Sequence, residues 1–218
     1  MTKKLLICPF FGDLPAFYPQ WRESVRSLER FGYHVLVTQD LDDFNARCGA
    51  VLGFPSPIVP GTGKLWDFRC AFGELYAKEI EGYDYWGHTD FDVVYGRVDR
   101  FVTEEMLTEK GPNGRLDIFS DEDTYIGGHF TLYRNISYVN SFFREVHGWS
   151  AFMQDPPPNG WVEFAYSVHA KKHLNVVLEK NQATRDNRGL TLDENGYLRQ
   201  NGKEIMLAHF RDQKRWPL

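Results

Sequence analysis

The sequence predicts an α/β protein with a mostly parallel central sheet, flanking helices and a C-terminal β-hairpin. The first observation is an apolar run, Lys4 to Phe11, then a segment with helical spacing, then a second apolar run, Tyr33 to Thr38. This βαβ order implies a right-handed crossover and parallel pairing. The second is the Asn201-Gly202 pair between two extended runs in GYLRQNGKEIMLAHF, a strong short-range hairpin signal. The third is length: a chain of 218 residues can bury roughly 70% of the surface it exposes when unfolded, enough for one compact domain.

The elements follow in order. KLLICPFF suits a buried first strand. The opening MTKKLLICPFFGD has a short apolar run broken by Pro9 and followed by Gly12 and Asp13, so it reads as that strand and not as a cleaved leader. Pro19 can open a helix in which Trp21, Val25 and Leu28 recur at helical spacing until Gly32 stops it. YHVLVT is the second strand and ends in QDLDD, which places Asp40 at its carboxyl end. Gly49 to Gly63, rich in Gly and Pro, reads as a loop. Its GTGK lacks the spacing of a phosphate-binding P-loop, because Leu65 follows Lys64.

A helix is expected from Leu65 to Ile80, with Leu65, Phe68, Phe72, Leu75 and Tyr76 inward and Gly82 beyond its end. Lys64 and Asp67 share one side of its first turn. Helix amides and a lysine there would suit an anion such as a diphosphate, and an exposed first-turn charge pair fits the spacing equally well. Val98 to Lys110 reads as helical and LDIFS as a short strand. In GGHFTLYRN, Gly127 and Gly128 permit close backbone approach, so Gly127, Gly128 and His129 are candidate substrate contacts, although a lone His is most often structural. A strand there leads toward a helix through Phe143. PPPNG breaks the chain, and Trp161 to Leu174 reads as a helix with Glu163 in its first turn, a position the helix dipole alone favours.

Composition sets limits. The 30 acidic and 25 basic residues make the chain mildly negative, with no basic run in the first two hundred positions, which argues against a nucleic-acid groove. The three cysteines are widely spaced, with no C-x-x-C, and fit a reducing compartment better than a disulfide scaffold. No segment approaches the ~20 apolar residues that span a bilayer. A soluble, cytoplasmic protein without a transmembrane segment is expected.

YWGHTDFDVVYG, residues 85–96, carries the sharpest chemical signal. In an extended strand the side-chain period is two, so Asp90 and Asp92 point one way and Phe91 the other. Two carboxylates at one place call for a cation, and a structural salt bridge competes with a divalent metal for the role. Phe10, Phe11, Asp40, Asp90 and Asp92 all fall at the carboxyl ends of expected strands, where ligands of α/β sheets bind. DFDVV also fits the nucleophile motif of haloacid-dehalogenase-like phosphatases. That motif ends the first strand of its domain, whereas Asp90 follows at least two.

The N-terminal strand ending in an aromatic pair, the Lys-x-x-Asp helix start, HTDFDVVYG, GGHFTLYRN and the terminal HFRDQKRW together resemble small bacterial proteins with a GT-A glycosyltransferase fold. Their relatives are the glycogenin-like galactosyl- and glucosyltransferases and the mannosyltransferases with a Ser-Asp-x-x-Arg helix. The resemblance implies one GT-A-like domain over 1–218, with a nucleotide-binding half (1–96) ending in Asp-x-Asp and an acceptor half (97–218) holding the hairpin and tail. It further implies that Asp90, Asp92 and His209 hold Mn²⁺ or Mg²⁺, which bridges the diphosphate of a nucleotide-sugar donor.

Lys214 would add positive charge to the leaving phosphate, although Arg215 stands where the glycogenin-like tail has Pro. Phe10, Phe11, Lys64, Asp67, Gly128 and His129 become donor contacts, and Asp40 a base or ribose contact. Glu163 is the positional analogue of the acidic residue near the reaction centre. The acceptor would be a glycan or lipid-linked glycan, reached by a soluble or peripherally membrane-associated enzyme of bacterial surface glycan synthesis. The mannosyltransferase arginine is missing: Cys70 occupies its place, and Arg69 lies about 200° around an α-helix from Asp67, away from the substrate on that geometry. A non-catalytic sugar-nucleotide binding module is the remaining alternative.

Overall fold

The computed structural model describes residues 1–61, 63–108, 114–156, 158–179, 182–184 and 188–210. Its strands are β1 (Lys4–Pro9), β2 (Tyr33–Thr38), β3 (Tyr85–Thr89), β4 (Val93–Tyr95), β5 (Ile118–Ser120), β6 (Phe130–Arg134), β7 (Val176–Leu178), β8 (Gln182–Thr184), β9 (Leu190–Leu192), β10 (Leu198–Gln200), β11 (Lys203–Glu204) and β12 (Leu207–His209). Six strands form the central sheet in the order β2-β1-β3-β6-β5-β7. β1 pairs parallel to β2 and β3, and β5 parallel to β7, while β6 runs against both of its neighbours. The sheet is mostly parallel, as expected, with β6 its one reversed strand, and its parallel β2-β1-β3 part carries the carboxyl ends of β1 and β3.

β1 is buried along its whole length and divides its side chains between two cores. Leu5 and Ile7 face a layer that includes Phe44, Phe68, Phe72, Trp86 and Tyr133. Leu6 and Cys8 face the other, with Trp21, Val25 and Leu28. Those last three come from α1 (Tyr18–Arg26) and the turn after it, and Gly32 ends the segment with φ 78° in the left-handed region, as the spacing predicts.

α2 (Leu41–Leu52) is a helix where the apolar pattern predicts only a strand end and the start of a loop. Its signals were present: Asp40 caps it by accepting from the Asp43 amide at 2.9 Å, Phe44, Cys48 and Leu52 recur every four residues as its buried face, and Gly53 stops it at φ 85°.

Three expected helices differ in winding. Leu65 to Ile80 is not one α-helix but a 3₁₀ segment, Lys64–Ala71, followed by the single turn α3 (Phe72–Leu75). A three-residue period stacks Lys64, Asp67 and Cys70 on one buried face, which a 3.6-residue period would splay apart. Val98 to Lys110 is helical only at Val98–Arg100. Tertiary partners win over the helix there: Glu104 accepts from the Thr2 amide and Lys4 Nζ at 2.9 and 3.0 Å, and the Leu116 amide donates to the Met106 carbonyl. Residues 109 and 110 lie outside the described residues.

The third helix opens as a π-turn, Val162–Tyr166, and becomes α-helical in α6 (Ser167–His173). Ser167 Oγ donates to the Val162 carbonyl five residues back at 2.7 Å, inserting into the ladder as π-turns require. The helix toward Phe143 is present as α4 (Ser137–Ser141) and a following 3₁₀ turn, and α5 (Trp149–Gln154) precedes the proline-rich break.

The Asn-Gly hairpin is present. β10 and β11 pair antiparallel through Gln200 and Lys203, and Asn201 and Gly202 take φ of 51° and 83°, as a type I′ turn demands. The hairpin strands do not themselves carry His209. That residue arrives on β12, which pairs antiparallel with β4 and sets His209 opposite Val93.

Candidate active site

Asp90 and Asp92 are not in an extended strand. β3 ends at Thr89, and Asp90, Phe91 and Asp92 form the connection to β4. Phe91 decides the geometry: its ring is buried with Trp21 at 4.4 Å, Phe10 at 5.0 Å and Tyr18 at 5.5 Å, and Trp21 Nε1 donates to the Asp90 carbonyl at 3.1 Å. With the ring pinned inward, both flanking carboxylates line a cleft of about 760 Å³, within the roughly 300–1,000 Å³ typical of small-molecule sites.

β12 brings the second half of the site. The Phe210 amide donates to the Asp92 carbonyl at 2.8 Å, continuing the β4–β12 ladder, so His209 Nε2 meets Asp92 Oδ2 at 3.2 Å across 117 residues of sequence. The His129 ring lies against the His209 ring with centroids 3.6 Å apart, and His129 Nδ1 stands 3.4 Å from Asp121 Oδ2. Gly128 is required: it has φ 70°, and a Cβ there would fall 2.6 Å from Asp121 Oδ1. Burial alone would lower the basicity of His129, but the hydrogen bond and charge of Asp121, with the charge of Asp90, outweigh it and raise its pKa.

Arg69 is the residue that sequence reasoning directed away from the substrate. Asp67 and Arg69 do point to different sides, but the cleft lies on the side of Arg69. Its guanidinium forms an ion pair with Asp90 and donates to the Gly128 carbonyl at 2.9 Å. Burial pushes the Asp90 carboxyl up, Arg69 pulls it down and Asp92 pushes it up again, with a net rise. For Asp92, burial acts upward, but the hydrogen bond and charge of His209 prevail and hold it below the usual carboxylate range.

Asp67 and Lys64 are placed elsewhere than expected. They form a buried ion pair at 2.9 Å, with side chains 1% and 0% exposed, and Lys64 also donates to the Phe152 carbonyl at 2.7 Å. Asp67 further accepts from the Asn159 amide and, through its carbonyl, from Trp161 Nε1. This pair ties the 3₁₀ segment to the 159–161 loop; Lys64 reaches the cleft wall, but its ammonium is committed inward. Asp40 is a helix cap and is not among the cleft-lining residues. Phe10, Phe11, Gly128, His129 and Glu163 do line the cleft, Glu163 from the π-turn. Lys214 and Arg215 lie outside the described residues.

The site therefore gathers the carboxylates of Asp90 and Asp92, the imidazoles of His129 and His209 and the guanidinium of Arg69, with His88 and Glu163 on the same cleft. Oxygen and imidazole donors of this kind suit a hard or borderline divalent cation. Among the described residues, however, no group of three or more His, Cys, Asp or Glu side chains is arranged to hold a metal ion; Asp92 and His209 converge, while Asp90 is turned to Arg69.

Residues 6–215 match the model of a family of unknown function, DUF6625, and the chain belongs to that family. No curated protein matches it. Among solved structures it is similar to a glycosyltransferase involved in the glycosylation of the major capsid of PBCV-1, with a TM-score of 0.56, 10% identity, and coverage of 97% of this chain and 95% of that one. A197 from STIV is matched at a TM-score of 0.43 and 12% identity, over 94% of each chain. The first likeness shows a shared mixed α/β fold with a glycosyltransferase. Among the described residues, no helix is long and apolar enough to cross a membrane.

Proposed function

We propose that this member of DUF6625 is a GT-A glycosyltransferase that moves a sugar from a nucleoside-diphosphate donor to a hydroxyl of a glycan or lipid-linked glycan. The observation that carries the reading is the meeting of Asp92 and His209 beside Asp90 and Arg69, across 117 residues, in a cleft at the ends of β1 and β3. A structural salt bridge needs no such gathering of ionisable groups around an open cleft, and perturbed groups in clefts are enriched at functional sites.

In this reading Asp92 and His209 would hold Mn²⁺ or Mg²⁺, with Asp90 available to join them only if Arg69 released it. Such an ion, when bound, stabilises the charge of the leaving diphosphate. Arg69 supplies a second positive group at the same place, and Lys214 is proposed as a third. Phe10, at the end of β1, offers aromatic surface to the donor base, while Phe11 beside it is buried against Phe44 and supports that wall of the cleft. Glu163, across the cleft, takes the proton of the acceptor hydroxyl as its oxygen bonds to the anomeric carbon and the bond to phosphate breaks.

A thermal-shift panel of nucleotide sugars, with and without Mn²⁺, tests the reading. The correct donor at 100 times its dissociation constant should stabilise the protein by about 2.7 kcal/mol, and only with the metal. Stabilisation by no nucleotide sugar, or hydrolysis of p-nitrophenyl phosphate in their place, would remove it. With the donor known, Glu163→Gln should lower turnover by roughly 100-fold and leave donor affinity unchanged; equal turnover would return Glu163 to a structural place in the π-turn.

A further inference from the structure

Trp66 is a large aromatic side chain that the core does not use. It is 51% exposed, yet it belongs to the wall of the cleft. The indoles of Trp21, Trp86 and Trp161 are buried, and each donates its Nε1–H, to the Asp90 carbonyl, Asn140 Oδ1 and the Asp67 carbonyl respectively. No hydrogen bond of this kind holds Trp66 among the described residues. Its ring is placed by backbone instead: Gly63 has φ 72°, and a Cβ there would come within 3.2–3.3 Å of three atoms of the six-membered ring. The six-membered ring of the indole rests on a bare glycine, and about half of the residue stays exposed at the wall of the cleft.

Leaving so much aromatic surface in water forgoes the stabilisation its burial would give. An open aromatic face with an adjacent N–H suits a ligand that is apolar on one face and rich in acceptors at its rim. A pyranose ring has that character, and a nucleobase shares its flatness.

The surroundings favour the sugar. The segment bearing Trp66 is tied through Asp67 to Asn159 and Trp161, immediately before the turn that carries Glu163. Phe10 and Phe91 occupy the β1 side with α1. The geometry points to Trp66 as a stacking platform for a sugar ring of the acceptor, which makes that acceptor a carbohydrate at the position next to its reacting hydroxyl. The inference rests on the glycosyltransferase reading for the word acceptor, but not for the binding itself.

Saturation-transfer NMR and titration of the full chain test it, with methyl pyranosides and gluco-, galacto- and manno-configured disaccharides in one arm. UDP and GDP with Mn²⁺ form the other. Trp66→Ala should weaken saccharide binding by about five- to tenfold, the size of one aromatic contact, with nucleotide affinity unchanged. Trp66→Phe should keep most of the binding, and Gly63→Ala, which displaces the ring, should reproduce the loss. Half exposure makes Trp66→Ala compatible with folding, and an unaltered melting temperature verifies that. Saccharide binding that ignores Trp66, no saccharide binding by the wild type, or a loss confined to UDP or GDP would overturn the inference, the last by assigning the ring to the donor base. Trp66-dependent saccharide binding without any nucleotide binding would keep the platform and remove the glycosyltransferase reading.

Discussion

Asp92→Asn is expected to give a folded protein that Mn²⁺ with a nucleoside diphosphate no longer stabilises, and whose turnover falls by roughly 100-fold or more. The substitution keeps the shape and removes the charge. The Asp92 side chain is 36% exposed, and its contact with His209 Nε2 is at the cleft, outside both hydrophobic layers. Its partial exposure limits the folding energy that the contact with His209 contributes, and the melting temperature of the variant separates a loss of ligand response from unfolding. His209→Ala should give the same loss by removing the other partner, and the two together should cost little more than either alone, because groups that act as one unit are not additive. Calorimetry of Mn²⁺ and nucleotide, beside the melting temperature of the free protein, decides the matter. Unchanged affinities in a folded Asp92→Asn variant would make the Asp92–His209 contact a strand-end ion pair and nothing more.

The parts of this site that the sequence made legible are those fixed by local rules. β1 and β2 declare themselves by apolar runs around a helical interval, and the Asn201-Gly202 turn by the left-handed conformation its type requires. His209 was placed at the metal by resemblance, and its meeting with Asp92 rests on β12 pairing with β4, a contact no local pattern encodes. Asp40 does lie just past the end of β2, but the following Asp42 and Asp43 and the Phe44–Cys48–Leu52 spacing mark it as a helix cap, and its carboxylate serves the Asp43 amide outside the cleft lining.

Arg69 faces the cleft for a reason that helical geometry alone does not carry. Helical geometry separates it from Asp67, but only burial tells which of the two faces the core. The pair Lys64–Asp67 resolves this by satisfying itself inside, where an unpaired charge would be costly. The same helix start that resembled an anion site is thus a clamp between the 3₁₀ segment and the 159–161 loop.

Arg69 and Asp90 form the second pair of consequence, and replacing one without the other should expose it. Their side chains are 11% and 25% exposed, and the guanidinium also serves the Gly128 carbonyl. Arg69→Met would leave a largely buried carboxylate beside Asp92 without its strongest countercharge, with only the weaker influence of His129 and His209 remaining. The expected loss is about 2–3 kcal/mol, at or below the low end for breaking a buried pair because Asp90 keeps some contact with water. Asp90→Asn should cost less, since the guanidinium retains its carbonyl partner. In Arg69→Met/Asp90→Asn most of the loss should return, because the repulsion between the two carboxylates disappears with the charge. Urea unfolding of the four proteins measures the coupling directly. Additive losses would mean that Arg69 stabilises the 3₁₀ segment independently of Asp90. A strong coupling would mean that the two side chains stabilise the fold as a pair. Mn²⁺ alone, without the nucleotide whose diphosphate Arg69 is proposed to meet, should then stabilise Arg69→Met more than the wild type, since only the wild type must first part the ion pair.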